Sequence, residues 1–195
     1  MSSRSKYLMI AASLILLGVF MFPIWNINLK APQYPEGIGL RIWVNQVTGE
    51  KEFDLKNING LNHYIGMKAI EPDTISELKY MPFILGFFIG TGLIISFIKN
   101  KKMIFVWILL FLVVMSIGLY DFYLWGYDYG HNLDPTAPIK VPGMSYQPPV
   151  IGTKKLLNIT ATSLPGIGSI LILISLSLAA ISYFTLKKDK GELNV

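Results

Sequence analysis

There is no cysteine among the 195 residues of the chain. Disulfides, thiolate metal sites and dithiol redox chemistry are therefore excluded. Charge is sparse as well. Charged residues make up 15% and hydrophobic residues 52%, a balance too apolar for an ordinary soluble domain and typical of a membrane protein. Histidine occurs twice, as His63 and His131. A G-x-S-x-G elbow, an H-E-x-x-H pair and a phosphate-binding P-loop are all missing, so the hydrolase and nucleotide chemistries they carry have no foothold. No enzymatic activity is expected.

Four apolar segments account for the composition. They cover about 7–25, 80–98, 103–124 and 165–184, and each is close to the roughly 20 residues that a hydrocarbon core demands. None carries an ionisable residue at its middle, which argues against an ion-coupled transporter. Thr91, Ser96, Ser116, Ser169 and Ser175 interrupt the runs and read as helix-packing positions. After the first run comes Phe22-Pro-Ile-Trp-Asn-Ile-Asn-Leu-Lys-Ala-Pro32, bulky where a signal peptidase needs small residues, so an uncleaved anchor is expected. The third run is the longest. It is free of charge from Met103 until Asp121 and then continues as an aromatic ladder through Trp125 to Tyr129.

The net charge of +5 is confined to particular places. Arg4, Lys6, Lys99, Lys101, Lys102, Lys187, Lys188 and Lys190 all flank apolar runs. A nucleic-acid partner would need such residues spread over one folded face, so none is expected. The same distribution orients the chain. Lys and Arg concentrate at the two termini and in the short 99–102 turn, and the positive-inside rule places these in the cytoplasm. The long segments 26–79 and 125–164 then face outward and form one cap. The fold class is a membrane all-α, four-transmembrane-helix bundle with both termini cytoplasmic and a small extracytoplasmic cap containing a β-hairpin. The chain is read as a single membrane domain, 1–195.

Within the first outward segment, Gly39–Asn45 alternates as a strand, Val47–Glu50 reads as a turn, and Lys51–Leu55 is the expected return strand. Residues 57–67 follow at roughly helical spacing. A capped helix is expected near Glu71–Glu77, on Asp73 as an N-cap. The second segment holds Pro135, Pro138, Pro142, Pro148 and Pro149, which favours extended, turn-rich backbone. Gly130, Gly143 and Gly152 suit positive-φ turns. Trp25, Tyr123 and Trp125 fit an interfacial aromatic belt, whereas Tyr64 and Tyr146 fit a core joining the segments. Asn158-Ile-Thr160 matches a glycosylation sequon, a pattern that recurs by chance.

Both histidines fall in the outward segments, each with a methionine in the same segment. His63 and Met67 share a face if their segment is helical. His131 follows the third span, and Met144 sits between prolines. Imidazole and thioether are copper ligands, and thioether favours Cu(I). The alternative reading makes both methionines apolar contacts and both histidines hydrogen-bonding loop residues. Asp121 and Asp128, seven apart, could do acid–base work, but carboxylates at a membrane exit more often cap a helix, pair with lysine or face water.

Three phrases carry a family resemblance: Ala31-Pro-Gln-Tyr-Pro-Glu-Gly37; Ile58-Asn-Gly-Leu-Asn-His-Tyr-Ile-Gly-Met67; and Tyr129-Gly-His-Asn-Leu-Asp-Pro135 with Val141-Pro-Gly-Met-Ser-Tyr-Gln-Pro-Pro149. The chain resembles uncharacterised bacterial four-span membrane proteins found beside nitrous-oxide reductase and its copper-delivery accessory lipoprotein. The resemblance implies an inner-membrane accessory protein of denitrification, supporting maturation or copper or electron supply of that periplasmic copper enzyme. It strengthens His63, Met67, His131 and Met144 as a Cu(I) set and implies a periplasmic or membrane partner protein. The rival reading is a metal-free membrane scaffold that docks a periplasmic partner. A quinol-interacting electron-transfer subunit is a third, weakened because no histidine lies in a span to hold a haem.

Overall fold

The computed structural model describes residues 3–98, 100–143 and 145–191. Helix α1 (Ser3–Ile15) tightens into a 3-10 turn over Leu16–Phe20. Strands β1 (Trp25–Ala31), β2 (Tyr34–Ile42) and β3 (Val47–Gly49) follow, then α2 (Asp54–Ile65). Helix α3 (Glu77–Phe97) turns sharply into α4 (Lys101–His131). Strands β4 (Gly152–Leu156) and β5 (Ile159–Pro165) lead into α5 (Ile167–Gly191). With the 3-10 turn included, the described residues form four helices long and apolar enough to cross a membrane. Their outer faces are apolar and open, as at Phe83, which is 78% exposed, and Ile117, 63% exposed. Side chains that hide from water in a soluble protein face outward here, as expected when the surroundings are lipid.

Neighbouring helices close a ring, α1 beside α5 and α3, α4 beside α3 and α5. Small side chains set the seams, as expected where lipid removes the hydrophobic drive between helices. Buried Ser5 and Ser182 share a hydroxyl–hydroxyl hydrogen bond of 2.9 Å, and each hydroxyl also lies within reach of the other's carbonyl. Ser175 donates to the Ala12 carbonyl at 2.7 Å, and Gly92 leaves room for Ser13. The indole of Trp107 donates to the Phe88 carbonyl at 3.1 Å. At the end of the bundle where Ser5 meets Ser182, Lys6 lies over the Phe97 ring and Lys101 over the Tyr183 ring. The start of α1, the end of α3, the start of α4 and the Ser182 turn of α5 therefore share one end.

The opposite end carries a five-stranded antiparallel sheet of order β3-β2-β1-β5-β4. Its central ladder joins β1 from the first long segment to β5 from the second, from Trp25↔Pro165 to Lys30↔Thr160. Strand alternation sends Trp25, Ile27, Ile38, Leu40 and Val47 to one face. There they pack with Ile58 of α2, Leu78 of α3 and the α4 residues Phe122, Trp125 and Tyr129. Each such side chain contributes about 1.5–3 kcal/mol when fully buried. Helix α4 can reach the sheet because of its length. Its 31 residues extend about 46 Å at 1.5 Å per residue, against about 30 Å of hydrocarbon.

Several expectations are corrected. The sheet is larger than one hairpin. Lys51–Leu55 does not return as a strand, because Asp54 is buried at the start of α2, where its carboxylate accepts the N–H groups of Gly39 (2.8 Å) and Lys51 (3.2 Å). The reversal lies at 43–46, and Val47–Gly49 is itself a strand. Asp73 falls in a 3-10 turn over Pro72–Thr74, and α3 begins at Glu77. Trp25 and Pro165, expected to close and open spans, pair with each other in the sheet. Trp25 belongs to the core and not to a belt: it is 8% exposed, and its indole donates to Ser163 at 2.8 Å.

Where the sheet meets the bundle, the backbone is packed tightly. Gly166 donates to the Ile24 carbonyl and Gly168 to the Pro23 carbonyl, both at 2.9 Å. The Ser169 hydroxyl donates to the Ile24 carbonyl at 2.6 Å. A Cβ at Gly166 would strike the Pro23 carbonyl, and one at Gly168 would crowd Ile24 and the Phe22 carbonyl. Gly166→Ala is therefore expected to cost about 1–3 kcal/mol, as overpacking does. Gly118→Ala, whose added methyl meets nothing within 4 Å, serves as the control and should be neutral or stabilising. Thermal unfolding of the purified variants measures both.

Candidate functional site

The sheet, α2 and the end of α4 enclose a cavity of about 320 Å³. Ile27, Leu29 and Leu40 form its sheet wall, and Ile58 and Leu61 its α2 wall; Trp125, Gly126 and Tyr129 form its α4 wall. Tyr146 and Pro148 close it from the proline-rich segment, whose Tyr146 N–H donates to the Gly130 carbonyl at 2.9 Å. That segment crosses α4 in contact, since a Cβ at Gly130 would run into the Gln147 backbone. Gly130 is thus a close-approach glycine within a helix, not a turn glycine. Gly143 and Gly152 do take positive φ, 74° and 104°.

Polar groups in the cavity are few. Asn62 is buried and donates to the Lys68 carbonyl at 3.2 Å. The Tyr129 hydroxyl donates to the Ala69 carbonyl at 3.2 Å. Tyr146 is 3% exposed, and its hydroxyl has no hydrogen-bond partner among the described residues. A buried hydroxyl left so costs about 1–3 kcal/mol. The rim includes three exposed apolar residues, Tyr64, Ile139 and Leu157. Leu157 holds φ 57° in the β4–β5 turn, a conformation that is strained for a side chain of this kind. Tyr64, expected in the core, is 55% exposed.

His63 is exposed on the last turn of α2. The helix stops two residues later. Gly66 takes φ 81°, and the Met67 N–H returns to the Asn62 carbonyl at 2.9 Å in a Schellman closure. Met67 therefore lies past the helix end, lining the cavity, and is not a helical i, i+4 partner of His63. His131 ends α4. Its ring stacks on Tyr127 at 3.9 Å between centroids, and its Nδ1 lies 3.0 Å from the Tyr127 carbonyl. Met144 lies outside the described residues.

The chain after His131 ties the two helix ends together. Asp134 donates its N–H to the Gly66 carbonyl at 2.8 Å, and Ile139 donates to the Tyr64 carbonyl at 2.9 Å. His63 and Met67 are thus brought to the corner where the segment leaving His131 docks. Among the described residues, no three of His, Asp and Glu form a group that could hold a metal ion. His131 keeps Nε2 for a ligand if Nδ1–H is donated to Tyr127, an arrangement common in metal-binding histidines. The donor types suit Cu(I); a complete ligand set is not assembled by the described residues alone. Asp128 bonds Lys68 Nζ at 2.7 Å and also pairs with Asn132, a structural use of that carboxylate.

No protein-family model matches the chain, and no curated protein matches it.

The cavity was not visible from the sequence. A spacing of four between Gly126 and Gly130, inside an aromatic ladder, is the signal that could have marked a helix face kept clear of side chains. The Asp134 carboxylate accepts from the Thr136 hydroxyl (2.6 Å) and N–H (2.7 Å), and these bonds hold its pKa below the ordinary 3.8. A depressed carboxylate stabilises the fold above its unfolded pKa and loses that contribution as pH falls through the folded value. The Thr136 amide resonance should accordingly titrate with a midpoint below 3.8; a midpoint at or above it would contradict this turn.

Proposed function

We propose that the chain is a four-span inner-membrane accessory protein that acts through its cap and supports a periplasmic copper enzyme, nitrous-oxide reductase. The observation that carries this reading is the division of the molecule. The sheet, α2, the cavity and the His63–Met67 corner all lie at one end of the helices, opposite the end where Lys6 and Lys101 meet aromatic rings. The positive-inside rule keeps basic helix ends on the cytoplasmic side, which supports a periplasmic cap. The pathway comes from the resemblance of the loop phrases. The fold supports the reading by giving those phrases one shared surface.

On this proposal, His63, Met67, His131 and Met144 hold or pass Cu(I), which would supply the enzyme's metal. Cu(I) titrated into purified protein against a competing chelator tests it. Joint replacement His63→Ala, Met67→Ala, His131→Ala and Met144→Ala should weaken binding at least about tenfold; unchanged binding removes the metal claim. A reporter fused within 57–60 should be active outside the cytoplasm, and cytoplasmic activity would remove the orientation.

A metal-free scaffold is the second reading, favoured by one observation: the cap exposes the apolar side chains Tyr64, Ile139 and Leu157 together at the rim of its cavity. It expects a periplasmic partner to co-purify with the histidine-free variant. Replacing the exposed apolar residues Tyr64 and Ile139 with serine should then abolish co-purification.

A further inference from the structure

We propose that the cap cavity binds the apolar chain of an uncharged lipid and that the Tyr146 hydroxyl takes the lipid's single polar head. The inference rests on the cavity itself and does not depend on the copper reading.

The cavity is built for such a molecule in three respects. Its volume of about 320 Å³ falls at the lower end of small-molecule sites, and among the described residues no charged one lines it. A charged ligand buried there would find no counter-charge. The space is also kept open by a specific residue. Gly126 is buried within α4, yet a Cβ placed on it would meet nothing within 4 Å. Four residues on, the equivalent space at Gly130 is filled by Gln147. The helix thus uses one glycine to admit a crossing strand of chain and another to leave a void.

The third respect is polarity. Tyr146 lines the cavity almost wholly buried, and its hydroxyl has no partner among the described residues, in a mainly apolar lining whose other polar side chains are Gln33, Asn62, Tyr64, Tyr129 and Asn158. A phenol donates readily to a carbonyl oxygen. The ester carbonyl of an acylglycerol and the ring carbonyl of an isoprenoid quinone offer the same acceptor on a long apolar chain. The source is close: α4 runs from the apolar bundle directly into the cavity wall, and the exposed rim residues Tyr64, Ile139 and Leu157 give an apolar entrance.

Full-length protein in lipid nanodiscs provides the test. The two probes are a monoacylglycerol and an isoprenoid quinone analogue, each with a photoactivatable diazirine in its chain, and cross-linked residues are mapped by mass spectrometry. Labelling of Leu61, Trp125 or Tyr129 by at least one probe is expected, and the probe that labels them at lower concentration identifies the source. Gly126→Leu should fill the void and reduce this labelling at least about tenfold without lowering the unfolding temperature. If that variant does not fold, Leu61→Phe narrows the same space from α2 and should give the same loss. Tyr146→Phe should weaken labelling about tenfold, the worth of one hydrogen bond, while leaving the unfolding temperature unchanged or raised. Labelling confined to the outer faces of the helices, undiminished labelling in the filled variant, or equal affinity in Tyr146→Phe would overturn the proposal.

Discussion

The rest of the structure hangs on one ladder of backbone hydrogen bonds, between β1 and β5. These strands come from opposite halves of the chain, yet each is joined to a helix of the same adjacent pair. Strand β1 follows the α1 turn and β5 runs into α5, and the two helices lie side by side. A backbone leaving a helix near a membrane surface must satisfy its N–H and C=O groups quickly. Pairing Trp25 with Pro165 does so within a few residues of the helix ends. Gly166, Gly168 and Ser169 complete the junction by bonding Pro23 and Ile24. The cost of joining such distant segments is shared with helix packing, because α1 and α5 are already adjacent.

With that ladder in place, the other strands add outward on both sides and the buried face acquires a direction. Strand β2 continues the apolar alternation of β1, with Ile27 opposite Leu40 and Leu29 opposite Ile38. Helix α2 covers this face from above, fixed at its start by Asp54 and at its end by the Gly66 closure. Helix α4 supports it from the bundle through Phe122, Trp125 and Tyr129. All three elements contribute to one buried cluster that includes Ile58 and Leu40. Leu40 and Ile58 also line the space left beside α4, where Gly126 withholds a side chain, and the cavity is the result.

Much of this was legible in the residues, for identifiable reasons. Helices of spanning length are announced by uninterrupted apolar composition, a one-dimensional property. The helix around Asn57–Ile65 was visible as period, and burial of Tyr146 as an aromatic held among prolines. Strands were harder. The partner of Trp25 is 140 positions away, and nothing local in Asn26–Ala31 or Ile159–Leu164 states that they belong together. Both segments also border apolar runs, so a hydropathy reading absorbs Trp25 and Pro165 into spans. Lys51–Leu55 misled because its alternation mimics a strand, while Asp54 instead accepts two backbone N–H groups. The candidate ligand pair His63 and Met67 failed as a helical pair for a local cause. Gly66 falls inside a segment of helical period, and a left-handed glycine ends such a segment.

The uninterrupted passage of α4 from bundle to cap has a mechanical consequence. Bilayer thickness changes the tilt of a spanning helix, because mismatch between apolar length and hydrocarbon depth is relieved partly by leaning. A rigid rod that leans at its base swings at its tip. Trp125, Gly126 and Tyr129 ride on that tip, whereas the opposing wall is fastened to α1 and α5. Tyr129 and Asp128 also bond Ala69 and Lys68, so in a bilayer such a lean would carry the α2 end along with the α4 tip and shear the void against the sheet wall that β1 and β5 hold.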